Sequence, residues 1–166
     1  MSGPVRELLE ELAEGLGGRL PEALVTADYP FFQRKLPPDQ PVVWLGVDKS
    51  TAPGAGLSPY LGEEPAQGGL PAAGAMGREL ELGLRADILD RYDAGACHRI
   101  FGELCQFFML EEGGPRVRDL SCGSLAFDRE AGGFRLTCRG SLRAFLLYSE
   151  EAAAIGSIIV KKEESQ

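Results

Sequence analysis

The sequence lacks a basic excess and a long apolar run. Its 17 Lys and Arg residues are outnumbered by 25 Asp and Glu residues, which gives a net charge of −8. A surface of that sign repels the phosphate backbone, so the composition argues against specific nucleic-acid binding. The sequence has no apolar run near the roughly 20 residues of a membrane span, and Glu7, Glu10, Glu11 and Glu14 stand where a signal peptide would be apolar. We therefore expect an intracellular chain with no membrane partner.

Residues that bind metals or act as nucleophiles are also scarce. The four cysteines form no CxxC pair and there is one histidine, so we expect buried free thiols rather than a zinc site or disulfide framework. Cys97 and His98 are adjacent, and on a helix they would point about 100° apart, too far for a nucleophile and its base. Asp87 and Asp90 would face opposite sides of a strand, and Asp93 fits better as a helix N-cap than as a metal ligand.

Motifs for binding phosphate are missing or incomplete. Gly54 and Gly56 follow a predicted strand, but Pro59 stands where the third glycine of a dinucleotide fingerprint would fall. A Walker-type motif is absent. We therefore expect no cofactor, no metal and no catalytic residues, and hence no enzyme.

The first half of the chain predicts one helix and one or two strands. Apolar residues from Val5 to Leu16 recur with helical spacing, with Ser2 as the expected N-cap, Pro4 in the first turn and a Gly17-Gly18 stop. Residues 23–26 predict a short strand. The run PVVWLGVDK at residues 41–49 predicts a buried strand because it is short, apolar and rich in β-branched residues.

The second half predicts a strand, a helix and a hairpin. Residues 79–90 alternate apolar and polar side chains, as a strand with one wet face does. A core helix follows from Asp93 and ends at residues 113–115, and the segment DREAGG joins strands at 117–127 and 134–148. These elements predict a single α+β domain: an antiparallel or mixed sheet of four to five strands with two helices on one face. A frayed tail is expected at residues 161–166.

Residues 50–77 form a long insert between two predicted strands. Seven glycines and four prolines occur among its 28 residues, so we expect a flexible segment that orders against a neighbouring subunit. Arginines gather on the final hairpin while the first helix is acidic, which favours head-to-tail contacts between copies. The candidate subunit-contact residues are Leu57, Tyr60, Leu61, Leu70, Met76, Arg129 and Arg135.

The layout resembles one known family. The chain runs from an opening helix through the strand PVVWLGVDK, a long loop, the strand ELELGLRADIL and the helix GACHRIFGELCQFF to the hairpin VRDLSCGSLAFDREAGGFRLTC. This order of elements resembles that of the tail terminator proteins of long-tailed phages and prophages. The resemblance implies a non-enzymatic α+β protein that forms a hexameric ring on the tail tube, caps its growth and meets the head-side connector. It implies assembly in the bacterial host cytoplasm and residence in the virion tail, with DNA passing through the ring.

Three alternatives stay open. One is a monomeric accessory protein that folds the insert onto an unrelated partner. The chain would also suit another tail, baseplate or contractile-injection component, because these share the same composition. A small-molecule binding domain or an enzyme with a pocket under the insert, using Cys97 or Asp87, is the alternative from a different class. The measurements that separate them are the oligomeric state and a ligand-induced rise in thermal stability.

Overall fold

A computed structural model describes residues 3–27, 39–51, 60–65, 71–112, 117–149 and 154–160. The helices and strands, in chain order, are α1 (Pro4–Arg19), β1 (Leu24–Thr26), β2 (Val42–Thr51), β3 (Tyr60–Pro65), β4 (Pro71–Asp90), α2 (Ala94–Cys105), β5 (Val117–Cys122), β6 (Ala126–Asp128), β7 (Gly133–Ser149) and β8 (Ala154–Val160). A π-helical turn, Gln106–Leu110, continues α2.

The first helix forms as predicted but has different ends. Gly3 is the N-cap and makes no side-chain cap bond, so the expected Ser2 cap is wrong; Pro4 occupies the first turn. Gly17 and Gly18 lie inside the helix, which ends at Arg19. Leu20 is the C-cap, and its N–H donates to the Leu16 carbonyl over 3.0 Å. Leu16 and Leu20 are both buried in the core. Burial of this extra turn outweighs the preference of glycine for a helix end.

The strands form one mixed sheet around β4 and β7. The strand order is β1-β2-β4-β7-β5, with β3 on β4 and with β6 and β8 on β7. β1 runs parallel to β2, and the other pairs are antiparallel. The predicted α+β class is confirmed. The sequence pattern had not separated β3, β6 and β8, which add to the four or five strands expected.

The strand β4 begins earlier than predicted. It starts at Pro71 rather than Glu79, so the end of the insert is strand, and β3 occupies six more of its residues. Residues 77–90 pair with β7 and residues 81–89 with β2, whereas the first part of β4, to Met76, pairs with β3. Residues 52–59 and 66–70 of the insert, and the tail at 161–166, lie outside the described residues.

Both helices pack on one face of the sheet, as expected. The core combines Leu8, Leu12 and Leu16 of α1 with Ile100 and Leu104 of α2. From the sheet it takes alternate residues of neighbouring strands: Val43, Leu45, Leu80, Leu82, Leu84, Ala86, Ile88, Leu136, Cys138, Leu142 and Ala144. The pairing register places Val43, Ile88 and Leu136 side by side, so these residues share the helix-covered face.

Two turns use the capping chemistry that the sequence predicts. The Asp93 carboxylate accepts from the Gly95 N–H over 2.9 Å, which confirms Asp93 as the α2 N-cap. In the segment DREAGG, the Asp128 carboxylate accepts from the N–H groups of Glu130 and Ala131, and Gly132 has a φ of +76°. That left-handed conformation favours glycine. The predicted strand at 117–127 is split, because residues 123–125 separate β5 from β6.

Candidate functional site

The sheet face opposite the helices carries most of the charged side chains of the central strands. We call this the open face: Val42, Trp44, Gly46, Asp48, Lys49 and Thr51 of β2, Glu81, Gly83, Arg85, Asp87 and Leu89 of β4, Arg135, Thr137, Arg139, Ser141 and Arg143 of β7, and Arg118 and Ser121 of β5. The register aligns Trp44, Asp87 and Thr137 in one cross-strand row and Gly46, Arg85 and Arg139 in the next.

One end of this face is buried. Val42, Trp44 and Leu89 are at most 7% exposed, and Ala131 from the turn before β7 packs against Val42 and Leu89. The prediction that β4 has one wet face along its length is therefore wrong at its last residues. The sequence pattern missed this because burial there depends on side chains from β2 and from the 129–132 turn, which lie far away along the chain.

Asp87 is the buried carboxylate of the open face. Only 2% of Asp87 is exposed. Its Oδ1 accepts from the Thr137 hydroxyl over 2.7 Å, and its Oδ2 lies 3.1 Å from a terminal nitrogen of Arg85. The Arg85 guanidinium in turn lies 5.8 Å from the centre of the Trp44 ring, within range of a cation–π contact. A buried charge needs such partners, and the network fixes the positions of three strands relative to one another.

The other end of the open face is exposed and holds a cavity between two β-bulges. The pairing of β2 with β4 shifts between Val47 and Lys49, and that of β5 with β7 shifts between Arg118 and Ser121. Within the second bulge Asp119 has a φ of +53°, a left-handed conformation that is uncommon outside glycine. The solvent-open cavity measures about 310 Å³, and its lining includes Asp48, Lys49, Asp119, Ser121, Arg139 and Ser141. Bulges redirect side chains and are frequent beside functional sites.

Mixed charges are paired along this cavity. Arg139 Nε donates to Asp48 Oδ2 over 2.8 Å. This hydrogen bond lowers the pKa of Asp48 below its ordinary value of 3.8. The Ser141 hydroxyl donates to Glu81 over 2.6 Å. The cavity therefore presents a carboxylate, a guanidinium and hydroxyls to the same volume, a set suited to polar or charged partners.

The predicted contact residues fall into two groups. Tyr60 and Leu61 lie in β3 and Met76 lies in β4, where the register pairs Tyr60 with Met76. Arg129 is exposed in the turn before β7, and Arg135 in β7 forms an ion pair of 3.0 Å with Asp128. Leu57 and Leu70 lie outside the described residues. Arg135 pairs with Leu89 of β4, so the groups are separated by about 13 residues, or roughly 40 Å along a strand.

The cysteines and the neighbouring acidic residues take structural positions. Cys97 is fully buried, with its thiol 3.9 Å from the Ile88 carbonyl, and His98 is exposed, as predicted. Burial raises the pKa of Cys97 to about 11 and that of Cys138 to about 12. Cys122 is exposed, so the prediction that all four thiols are buried is wrong.

The Asp90 carboxylate accepts from the N–H groups of Tyr92 and Asp93 and so shapes the turn into α2.

Sequence comparisons identify no relatives. The sequence matches no protein-family model, and no curated protein matches it significantly. Within the described ranges, no group of three His, Cys, Asp or Glu side chains is arranged to hold a metal ion, and no helix is long and apolar enough to cross a bilayer.

Proposed function

We propose that this protein is a structural component of a phage or prophage tail, a ring-forming terminator that caps the tail tube. The observation that carries the proposal is the strand pair at the start of β4. We call β3 together with residues 71–76 of β4 the arm. Among the described strands, β3 pairs with β4 alone, and β7 joins β4 only from Gly77 onward.

The arm is poorly suited to stand alone. Its six β3 residues span about 20 Å, and a two-stranded ribbon of that size is marginally stable in water. The edge of such a ribbon presents unpaired backbone donors and acceptors, which pair readily with another chain. An arm that docks on a neighbouring subunit gains the packing that the two strands lack. This is the role expected of the insert.

The positions of the two contact groups favour a head-to-tail arrangement. The arm lies at one end of β4, and Arg129 and Arg135 lie near the other. A contact between two different surfaces of identical subunits closes into a ring when the rotation permits. The proposed ring is a hexamer whose partners are the tail tube and the head-tail connector. Its acidic charge of −8 suits a channel that DNA crosses without binding.

Two variants test the proposal. Deletion of residues 57–75 removes β3 and nearly all of the arm, and leaves intact the part of β4 that pairs with β2 and β7. Because the deleted strands pair only with each other among the described strands, the rest of the sheet should keep its fold, and the circular dichroism spectrum should lose only the β signal of the deleted residues. The matched control replaces the same residues with an equal length of Gly and Ser.

Native mass spectrometry across a concentration series gives the readout. We expect six-membered rings of the unaltered chain and monomers of both variants, because assembly requires the paired strands and not the length of the insert. Rings of the deleted chain would contradict the role of the arm. A strict monomer of the unaltered chain, even with purified tail tubes, would overturn the terminator proposal.

A second candidate function is small-molecule binding, favoured by the cavity between the two bulges. The insert begins next to Lys49, which lines this cavity with Asp48 and Arg139. A ligand that binds the native state raises its thermal stability. Thermal-shift screening of charged metabolites against the unaltered chain and Arg139→Gln tests this function. A shift that needs Arg139 would support it, and no shift at millimolar ligand would exclude it.

A further inference from the structure

A groove separates α1 from the edge strand β1. It measures about 540 Å³ and is lined by residues of α1 and by residues 23–27. Glu10 and Glu14 line it and are exposed, whereas Ala13 is buried and Val25 is half-buried. Glu10 Oε1 accepts from Arg6 Nε over 2.7 Å, and its second carboxylate oxygen can take a further donor. The groove therefore has an apolar floor with carboxylates at its rim. Such a shape fits a long cationic side chain, which lays its methylene stem on apolar surface and its charge against carboxylates.

The exposed end of the open face carries the opposite charge. We call it the basic end: Asp48, Lys49, Glu81, Arg85, Arg118, Asp119, Arg139 and Arg143. Five of these side chains are basic and three are acidic, in a chain whose net charge is −8. Two of the basic groups are in ion pairs, Arg139 with Asp48 and Arg85 with the buried Asp87. The side chain of Arg139 is 56% exposed. Its bond to Asp48 uses Nε, and a guanidinium has five N–H donors in all, so it can bind further carboxylates.

These two surfaces cannot meet within one chain. The groove lies beside α1 on the helix-covered face of the sheet, whereas the basic end lies on the open face and runs from β2 to β5. Its β5 part is four strand spacings, about 19 Å, from the edge strand β1 that borders the groove. Complementary surfaces at opposite edges of identical subunits produce head-to-tail contacts, and such contacts close into rings or grow into filaments.

We propose that the acidic groove of one copy receives the basic end of the next copy. This inference rests on the proposed ring and adds a second contact to it, independent of the arm. The cationic side chains of the incoming copy lie over Ala13 and Gly17 and contact Glu10 and Glu14. Because exposed charges supply much of the attraction, the contact weakens as salt is raised.

Charge reversal on each side tests the contact. The groove variant is Glu10→Lys with Glu14→Lys, and the basic-end variant is Arg118→Glu with Arg139→Glu. All four residues are exposed, so the fold should survive, and circular dichroism and melting temperature verify it. Glu11→Lys is the matched control, because Glu11 lies exposed on the same helix and does not line the groove.

Sedimentation velocity at 50 and 300 mM salt measures each variant alone and the equimolar mixture. Each variant alone presents like charges and should self-associate at least about tenfold more weakly than the unaltered chain. The mixture should recover association, because the groove variant keeps its basic end and the basic-end variant keeps its acidic groove. These two intact surfaces can then bind each other. Glu11→Lys should associate as the unaltered chain does.

The outcomes separate this contact from the proposed ring. Rings of both reversed variants, equal to those of the unaltered chain, overturn the groove contact and leave the ring proposal standing. Association of the mixture without rings of the unaltered chain supports the contact and counts against the terminator. A mixture that stays monomeric while the unaltered chain associates also overturns the contact.

Discussion

Arg139 Nε donates to Asp48 Oδ2 over 2.8 Å and so joins the middle of β7 to the bulge of β2. The two residues are not direct register partners, since Arg139 pairs with Arg85 across β4. The bulge displaces the β2 backbone and brings the Asp48 carboxylate within reach. The bond connects strands on either side of β4 and orders the floor of the cavity.

Loss of the hydrogen bond from Arg139 should change the pKa of Asp48. The pKa of Asp48 is lowered chiefly by the Arg139 hydrogen bond, with a minor contribution from Arg85. In Arg139→Gln we expect the pKa of Asp48 to rise toward its ordinary value. Carbon-detected NMR titration measures this pKa. Arg85→Gln, the control, should change it less. An equal shift in both variants would contradict the hydrogen bond as the main cause.

Removing the Thr137 hydroxyl should lower the unfolding free energy, because this hydroxyl donates to the buried Asp87. Thr137→Val keeps the side-chain shape but removes the hydroxyl that donates to Asp87 over 2.7 Å. Leaving a buried carboxylate short of a donor costs about 1–3 kcal/mol of unfolding free energy. Urea unfolding measures the loss, with Ser121→Ala on the exposed end of the same face as control. A loss no larger than that of Ser121→Ala would show that Asp87 does not depend on this bond.

Gly83 should tolerate no side chain. A Cβ at this position would lie 2.3 Å from the Lys49 carbonyl oxygen, so backbone atoms must move. Gly83→Ala should therefore lose about 1–3 kcal/mol of unfolding free energy through strain. Gly102→Ala is the contrasting variant, because nothing lies within 4 Å of the added methyl and α2 should gain about 0.5–1 kcal/mol. Chemical denaturation of both variants tests the pair, and stabilisation of Gly83→Ala would contradict the close approach.

The thiols should react in the order of their exposure. Cys122 is exposed, Cys105 is partly buried, and Cys97 and Cys138 are buried with raised pKa values. At pH 8 a disulfide reagent should label Cys122 first and leave Cys97 and Cys138 protected until the chain unfolds. Mass spectrometry of the labelled peptides gives the order. Early labelling of Cys138 would contradict its burial.

The same buried thiols should lower stability at high pH. In the unfolded chain they ionise near their ordinary value of 9.0, but in the folded chain near 11 and 12. The folded state then holds protons that the unfolded state has released, so unfolding free energy should fall from about pH 9 to pH 12. Cys138→Ala should have a shallower fall in the same denaturation series. An unchanged slope would show that Cys138 does not contribute.

Local patterns along the chain were enough to predict the helices and the buried strands. The helical spacing before Leu16, the apolar run at β2 and the Asp93 cap each depend on residues close together in sequence. The β3 strand and the start of β4 escaped prediction because glycine, alanine and proline have low β propensity, and their pairing depends on hydrogen bonds to each other. The length of α1 was underestimated because burial of Leu20 outweighs two glycines.

The contacts of the open face could not be predicted without the pairing register of the strands. No local signal placed Asp48 beside Arg139, 91 residues away, or Asp87 beside Thr137, 50 residues away. The alternation in β4 did place Arg85 and Asp87 on one face. The alternation does not identify the partner strands or the two bulges, because these depend on how the strands pair in the sheet.

The pairing of β4 with β7 also sets when the chain can fold. Its register runs from Asp90 with Phe134 to Gly77 with Leu147, so the partners are 44 to 70 residues apart. Contacts between distant segments require costly loop closure, which slows folding. During synthesis, β4 has emerged long before β7 exists, and its apolar face is exposed in the interval. Because α1 and α2 share the core with β4, their packing on that face is the contact able to cover it before β7 is made.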